Sequence, residues 1–220
     1  GRPEERPNII TVAWAGTVCS SPAMVSISIR KERYSYDILK ETGEFVINLI
    51  TRDLTYATDF CGVRSGRDVD KFAQMHLTPL PSQHISAPGI AESPVNLECK
   101  VTQVIPLGSH DMFLAEVLGV TVDEKYMDEN GKFHLNDAGL VAYSHGEYFE
   151  LGEKLGKFGY SVAKKQAAKT ESVTKSAKLS GAGKKAASAE NRTASKTEAG
   201  NRRKSASKTG SADKQKSRRK

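Results

Sequence analysis

The chain has 220 residues, enough for one or two domains, and its composition changes sharply at about residue 160. Residues 1–160 carry 15 Lys and Arg against 22 Asp and Glu, a net charge of −7, whereas residues 161–220 carry 18 against 4, a net charge of +14. The overall charge of +7 therefore belongs to the second segment and says nothing about the partners of the first.

Two β-like runs open the first segment, at residues 8–15 (NIITVAWA) and 23–29 (AMVSISI), and the turn-rich sequence GTVCSSP joins them. In the second run, Val25, Ile27 and Ile29 alternate with serines, which predicts a strand with one apolar face and one hydroxyl-lined face. The basic sequence RKERYSY follows. Hydroxyl and arginine donors side by side suit an anionic ligand such as a nucleotide-like cofactor.

Helices are predicted at three places, residues 33–42, 53–61 and 69–76. Gly43 is expected to end the first helix, because glycine adopts the left-handed conformation that closes many helices. Asp53 and Gly62 are expected to begin and end the second helix.

Strands are predicted at residues 44–49, 95–107, 112–122 and within residues 141–151. The two long segments alternate between apolar and polar residues, and we expect them to form an antiparallel hairpin around a turn at residues 108–111. Residues 78–94 are rich in proline and predict an irregular connection. The order of elements indicates a mostly β protein, an antiparallel barrel with a few short helices outside it.

Several separated motifs resemble the flavin reductase-like proteins of the FMN-binding split-barrel group, and more narrowly the flavoredoxins. They are NIITVAWAG, the SSP turn, VSISIRKERYSY, GEFVINL, CGVRSGRDVDKF and YFELGEKLGKFGYS, which are spread over residues 8–161. The resemblance implies an antiparallel, Greek-key-like split β-barrel that binds FMN and forms a homodimer with cofactor sites near the subunit interface.

The resemblance also implies electron transfer. A reduced donor, either NAD(P)H or a protein, would supply hydride or electrons, and a flavin or a protein would accept them. Relatives usually have one more strand before the segment that begins at Asn8. We therefore expect the barrel to lack its first strand and to leave a sheet edge that is either exposed or covered by a neighbouring chain.

The same resemblance implies which residues hold the cofactor. Relatives place an Asn at the position of Asn8 near the phosphate and a Ser or Thr at the position of Ser35 on the flavin. Lys71 would lie against the flavin ring and stabilise its charged reduced form. The implied cofactor-binding residues are Asn8, Trp14, Ala15, Gly16, Thr17, Ser20, Ser28, Arg33, Ser35 and Lys71.

Several of these residues also have an ordinary structural interpretation, and Asn8 is equally a residue that starts a strand. Trp14 fits a protein core, whereas Arg33 and the three serines fit solvated positions. Lys71 follows two acidic residues, Asp68 and Asp70, and therefore also fits a surface ion-pair cluster that contributes little energy.

His110 is the candidate catalytic residue. Related flavin reductases carry Gly-Asp-His at this turn, with the His near the nicotinamide or the flavin, whereas here Ser109 replaces the Asp. The alternative is a solvated turn histidine. Cys61 is either a redox thiol or an inert buried thiol.

The remaining residues do not support other chemistry. The other histidines show no HxxxH or HExxH spacing and the three cysteines form no CxxC pair, so neither a metal site nor a disulfide framework is predicted. Reduced thiols, no signal-peptide pattern and no apolar run of membrane length predict a cytoplasmic protein without membrane contact.

Residues 161–220 consist mainly of Lys, Ala, Ser, Thr and Gly, and they cannot bury enough apolar surface to offset the entropy of ordering. We therefore predict two regions, a barrel domain at residues 1–160 and a disordered basic tail at residues 161–220. The sequences NRRK and KSRRK resemble basic arms that contact nucleic acid non-specifically. A solubilising extension and docking on the negative barrel are the alternatives. The competing function is a non-enzymatic flavin-fold scaffold whose tail binds nucleic acid.

Overall fold

The computed structural model describes residues 1–163, and within them it contains nine strands and three short α-helices. The strands are β1 (Ala15–Ser20), β2 (Ala23–Arg30), β3 (Glu44–Asn48), β4 (Pro79–Leu80), β5 (Gly89–Ile90), β6 (Val95–Pro106), β7 (His110–Val122), β8 (Val141–Ser144) and β9 (Glu147–Glu150). The helices are α1 (Tyr34–Thr42), α2 (Thr55–Val63) and α3 (Lys71–Gln74). The predicted mostly β class is confirmed, whereas the predicted tail lies outside the described residues from residue 164 onward.

A five-stranded antiparallel sheet with the order β1-β2-β7-β6-β3 forms the main body. Its centre is the predicted long hairpin, in which β6 and β7 pair from Val95 opposite Val122 to Pro106 opposite Asp111. Gly108 has a positive φ of 81°, and the Leu107 N–H donates to the His110 carbonyl at 2.9 Å. The tight turn therefore ends at Ser109, and His110 and Asp111 belong to β7 rather than to the turn where the sequence predicts them.

The core lies on one face of this sheet. Val25, Ile27 and Ile29 are buried on β2, as the alternation of apolar residues predicts. They pack with Phe113 on β7 and Cys99 on β6, and both of these residues are completely buried. The period of two along β2 and β7 thus fixes which side chains fill the interior and which remain accessible.

The first predicted strand, at residues 8–15, is wrong. Residues 8–14 are not in a strand, and β1 starts at Ala15 and continues through most of the segment predicted as a turn. The Ile9 carbonyl accepts a hydrogen bond from the Lys71 ammonium, and the Thr11 hydroxyl donates to the Thr58 carbonyl. This apolar run is therefore held by the helices, through one backbone carbonyl and one side-chain hydroxyl, and not by a neighbouring strand.

The sheet has an open edge at β1. Within residues 1–163, β1 pairs with β2 and with no other strand, so its outer backbone groups are unpaired there.

Strands β8 and β9 form a separate two-stranded hairpin, although the sequence predicts a single short strand there. The Val141 N–H donates to the Ile50 carbonyl, so this hairpin lies beside the segment that follows β3.

The helices follow the sequence signals to different degrees. α1 buries Ile38 and Leu39 and ends at Gly43, whose φ of 63° is left-handed, as predicted. α2 begins two residues later than predicted, with Leu54 and not Asp53 at its N-cap, and it includes Gly62. Within residues 1–163, no helix has the length and apolar character needed to cross a bilayer.

Candidate functional site

A cleft of about 360 Å³ lies between the start of α1, the end of α2 and the loop that joins α2 to α3. Four of the predicted cofactor-binding residues line it: Asn8, Arg33, Ser35 and Lys71. These residues are far apart in sequence, and the packing of α1, α2 and α3 brings them together. The structure thus assembles one part of the predicted site from separate segments.

Asn8 and Ser35 form the floor of the cleft. The Asn8 amide Nδ2 donates to the Ser35 hydroxyl at 2.7 Å, and Ser35 is buried in the first turn of α1. Gly66 presses against this pair, because a Cβ atom on Gly66 would lie 2.0 Å from Asn8 Oδ1 and 2.8 Å from Tyr34 Cδ1. Only glycine therefore permits this close approach of the loop to the floor.

Lys71 lies at the base of the cleft with a relative exposure of 4%. Its ammonium Nζ donates to the Ile9 carbonyl at 2.6 Å and to the Cys61 carbonyl at 2.7 Å. Burial lowers the pKa of Lys71, with a further lowering from the Arg33 charge and an opposing contribution from Cys61. Lys71 is therefore not part of a surface ion-pair cluster, and the nearby Asp70 instead caps α3 by accepting from the Ala73 N–H.

Cys61 is buried beside Lys71. Burial raises the pKa of the Cys61 thiol, and the charge of Lys71 partly opposes that rise. A buried thiol with a raised pKa stays protonated at neutral pH, which favours the inert interpretation over a reactive redox thiol.

Three arginines surround the opening of the cleft: Arg33, Arg64 and Arg67. The Arg33 Nη1 atom donates to the Gly62 carbonyl at 3.2 Å, and the Arg67 guanidinium lies 5.3 Å from the centre of the Tyr34 ring. Among residues 1–163, neither these arginines nor Lys71 lie within 4.0 Å of a carboxylate. The cleft therefore concentrates positive charge in a region whose net charge is negative.

Arg64 and Arg67 are absent from the set of residues predicted from the sequence. The signal that could have identified them is their place in the motif CGVRSGRDVDKF, which also contains Lys71. The resemblance drew attention to Lys71 in the same motif and left the arginines unassigned.

A second cavity, of about 570 Å³, adjoins the cleft. Ile10, Arg33, Cys61 and Val63 line both spaces. Most other residues around the second cavity are apolar, from the segment before β1, from β3 and from the β8–β9 hairpin. A basic cleft thus continues into an apolar cavity large enough for a flat ring system.

The other predicted cofactor residues lie along or beside β1. Trp14 precedes the strand with a relative exposure of 67%, so the interpretation of Trp14 as a core residue is wrong. Its carbonyl accepts from the Ser28 N–H at 2.9 Å, which places Ser28 of β2 beside it. The remaining residues on β1 are all exposed: Ala15, Gly16, Thr17 and Ser20. Of this second group, only Ala15 lines the apolar cavity.

His110 lines neither space. It begins β7 opposite Arg30, and its Nδ1 atom lies 2.9 Å from the Ser109 hydroxyl. The next residue, Asp111, is buried and accepts a hydrogen bond from the Tyr36 hydroxyl at 2.6 Å, which joins β7 to α1. Within residues 1–163, no three His, Cys, Asp or Glu side chains are grouped so as to hold a metal ion.

The chain is similar to known proteins over most of the described residues. A family model for the flavin reductase like domain matches residues 1–152. An uncharacterized protein of Archaeoglobus fulgidus is 32% identical over 145 residues, a match that covers 66% of this chain and 81% of the relative.

Solved structures show the same fold. Flavoredoxin of Desulfovibrio vulgaris (Miyazaki F) is 35% identical with a TM-score of 0.68, and the match covers 73% of this chain and 87% of that one. An FMN-binding protein from Thermus thermophilus, solved with bound 1-cyclohex-2-enone, is 25% identical with a TM-score of 0.60, covering 71% and 85%. The resemblance and the split-barrel fold that the sequence predicts are confirmed, and the roles of single site residues stay predictions.

Proposed function

The chain belongs to the flavin reductase-like domain family, and from this membership we propose that it is an FMN-dependent oxidoreductase of the flavin reductase or flavoredoxin type. In this proposal a reduced donor, NAD(P)H or a protein, passes electrons through the bound flavin to a second flavin or to a protein. The observation that carries the proposal is the basic cleft that continues into an apolar cavity, with Arg33, Cys61 and Val63 at the junction.

The two spaces match the two halves of a flavin mononucleotide. Asn8, Arg33 and Ser35 would bind the phosphate, since an amide, a guanidinium and a hydroxyl can donate hydrogen bonds to it. The apolar cavity would take the flat ring, and water would be excluded from it by the surrounding aliphatic side chains. When bound, the flavin supplies the hydride and electron chemistry, and the protein positions and tunes it.

Lys71 would place a fixed positive charge near the ring. It is held by two backbone carbonyls, so its position does not depend on the ligand. A preorganised charge in a partly dry site favours the anionic reduced form of a flavin without further rearrangement. His110 lies away from both spaces, so a role in catalysis requires a donor that reaches the start of β7.

The predicted residues on β1 support a homodimer. Trp14 and the exposed residues Gly16, Thr17 and Ser20 are not enclosed by the described part of this chain. In the proposal, a second copy covers the open edge at β1 and completes the surroundings of the flavin. Sedimentation at several protein concentrations tests this, and a flavin-loaded protein that stays monomeric throughout contradicts it.

The experiment that tests the function compares FMN with riboflavin, which lacks the phosphate. Arg33→Ala combined with Ser35→Ala should weaken FMN by about tenfold or more, because each charge-assisted hydrogen bond contributes about 1.5–3 kcal/mol, and should weaken riboflavin much less. Arg52→Ala, at an exposed arginine that is ion-paired with Glu150, is the control and should change neither ligand.

Fluorescence titration of flavin-free protein gives these affinities, and steady-state oxidation of NADH and NADPH with free FMN or a protein acceptor then identifies the donor. A wild-type protein that binds no flavin contradicts the proposed function. Equal losses of FMN and riboflavin place Arg33 and Ser35 away from the phosphate.

Nucleic-acid contact through residues 161–220 stays a separate prediction that rests on the net charge of +14 of this segment. If it occurs, binding by the full chain should weaken steeply as the salt concentration rises, and salt-independent binding contradicts an electrostatic contact.

A further inference from the structure

The start of helix α1 carries Arg33 and Ser35, two of the residues that would bind the flavin phosphate, but no side chain caps this end of the helix. Arg33 is the N-cap residue, and its side chain makes no hydrogen bond to the N–H groups of the first turn. A side-chain cap would satisfy those groups and help to fix the start of the helix. The orientation of Arg33 and Ser35 toward the cleft therefore depends on other contacts.

Two side-chain hydrogen bonds hold the first turn of α1 from different sides. On the side of the cleft, the Asn8 amide Nδ2 donates to the Ser35 hydroxyl at 2.7 Å. On the side of the main sheet, the Tyr36 hydroxyl donates to Asp111 Oδ2 at 2.6 Å. Consecutive residues of an α-helix point about 100° apart, so the turn cannot rotate about the helix axis without lengthening one of these two bonds.

The contact with the sheet is well supported. Asp111 has a relative exposure of 4%, and the Tyr36 ring packs edge-on against the completely buried Phe113, with the ring centres 5.9 Å apart. The hydrogen bond from Tyr36 lowers the pKa of Asp111 and the nearby Lys31 lowers it further, while burial acts in the opposite direction. Asp111 is therefore ionised at neutral pH, and the hydrogen bond that it accepts belongs to the stronger, charge-assisted kind.

The other partner of Asp111 does not provide an equivalent anchor. The Lys31 ammonium lies 3.3 Å from Asp111 Oδ1, but the Lys31 side chain is half-exposed, so solvent and salt weaken this ion pair. Lys31 also precedes α1, in the connection from β2. The hydrogen bond from Tyr36 is thus the polar contact through which strand β7 orients the helix.

We propose that Tyr36 and Asp111 are positioning residues for the flavin phosphate. They orient the first turn of α1, so that Arg33 and Ser35 present their donors to the cleft before the ligand binds. The inference rests on the proposed function for the identity of the ligand, whereas neither Tyr36 nor Asp111 lines the cleft or the apolar cavity. Their effect therefore acts through Arg33 and Ser35 and should depend on the phosphate.

The test compares FMN with riboflavin by fluorescence titration of the full-length, flavin-free protein. Tyr36→Phe keeps the ring against Phe113 and removes only the hydroxyl. It should weaken FMN by about threefold to tenfold and leave riboflavin within about twofold of the wild type. Tyr56→Phe removes the hydroxyl of an exposed tyrosine on α2, and this matched control should change neither affinity.

Substitutions of Asp111 separate the hydrogen bond from the charge. Asp111→Asn keeps a side-chain oxygen that accepts from the Tyr36 hydroxyl, so it should retain most of the preference for FMN over riboflavin, whereas Asp111→Ala should lose it. A residue that only stabilised the fold would weaken both flavins in step with the free energy of unfolding, measured in urea, and asparagine would not restore the preference.

A double-mutant cycle tests whether the effect passes through the residues at the start of α1. When Arg33 and Ser35 are both replaced by alanine, Tyr36→Phe should weaken FMN little further, because the groups that it orients are absent. Full additivity of the two changes shows that Tyr36 acts by another route and overturns the inference.

The remaining outcomes are equally decisive. If the wild type binds FMN and Tyr36→Phe binds it as tightly, or if Tyr36→Phe weakens FMN and riboflavin equally, the inference is overturned and the proposed function stands. If Asp111→Asn loses as much of the preference for FMN as Asp111→Ala, the charge of Asp111 matters and the hydrogen bond does not, which also overturns it. A wild-type protein that binds neither flavin overturns the proposed function and this inference together.

Discussion

The cleft and the edge strand β1 hold the two halves of the predicted cofactor site, and they are built in opposite ways. The cleft collects Asn8, Ser35 and Lys71 from separate segments, and side-chain hydrogen bonds fix each of them. Along β1 the predicted residues are neighbours in sequence, and only backbone pairing with β2 holds them. Side chains of the described residues thus enclose the cleft, whereas the outer edge of β1 is open among the same residues.

Gly66 in the cleft and Gly16 on β1 allow a direct comparison of these two regions. Gly66→Ala should change the free energy of unfolding more than any other single substitution considered. Gly66→Ala places a methyl group 2.0 Å from Asn8 Oδ1, so the Asn8–Ser35 pair or the loop must shift. Overpacking of this kind costs about 1–3 kcal/mol of the free energy of unfolding, and flavin affinity should fall with it. Gly16→Ala on β1 meets no atom within 4 Å and is the matched control for the free energy of unfolding.

Urea unfolding and FMN titration of both variants provide the measurement. Gly16→Ala should unfold like the wild type or be slightly more stable, because alanine loses less backbone entropy than glycine in a strand. If both substitutions have the same effect, the loop adapts freely and the cleft is no more rigid than the edge strand.

Substitution of Lys71 tests whether a charge in the cleft, away from β1, changes the reduction potential of the bound flavin. Lys71→Met keeps much of the packing of the stem and removes the charge. The bound flavin should become harder to reduce, by about 30 mV, which corresponds to about 1.4 kcal/mol for a two-electron couple. Thr17→Val on β1 removes a polar group but no charge and should shift the midpoint potential less.

The measurement is a redox titration of the three proteins, each fully loaded with FMN. A midpoint that stays the same or rises in Lys71→Met shows that the ammonium does not stabilise the reduced flavin. Lys71 would then act only as a structural clamp between the segment before β1 and α2, through the Ile9 and Cys61 carbonyls.

The same contrast explains how much the sequence could predict. The β6–β7 hairpin and the end of α1 at Gly43 depend on alternation and a left-handed glycine, which are local signals. Residues 8–14 carry an equally good strand pattern, but a strand needs a partner, and Lys71 and Thr58 hold this segment instead. Periodicity indicates that a segment can pair and does not show whether another strand is beside it.

For the candidate site, the motifs identified Asn8, Arg33, Ser35 and Lys71, and the structure brings them to one cleft. They did not identify Arg64 and Arg67, since contact between the α2–α3 loop and Tyr34 depends on tertiary packing. Nor did they place His110 correctly in β7, because the position at which a tight turn closes depends on single backbone hydrogen bonds.

The smallest expected effect concerns alkaline pH and the thiol in the cleft. The pKa of Cys61 is raised by burial, so the folded protein keeps this proton at a pH where the unfolded chain loses it. Stability should therefore fall as pH rises above the ordinary thiol pKa of about 8.5, by at most about 1.4 kcal/mol per pH unit. Lys71 opposes this loss, because its pKa is lowered in the folded protein. Just below about pH 10.4 the unfolded chain therefore binds more protons at Lys71 than the folded protein does, and this contribution to stability rises with pH.

Cys61→Ala separates the two contributions, because it removes the thiol and leaves the ammonium. The free energy of unfolding of wild type minus that of the variant should decrease between pH 8.5 and pH 10, a range set by the ordinary thiol pKa of about 8.5. Cys19→Ala on β1, at a half-exposed thiol, provides the comparison from the edge strand. If the Cys61→Ala difference is constant with pH, the thiol does not titrate differently in the folded protein. The interior of the cleft would then be as accessible to water as the edge strand, contrary to the burial seen in the structure.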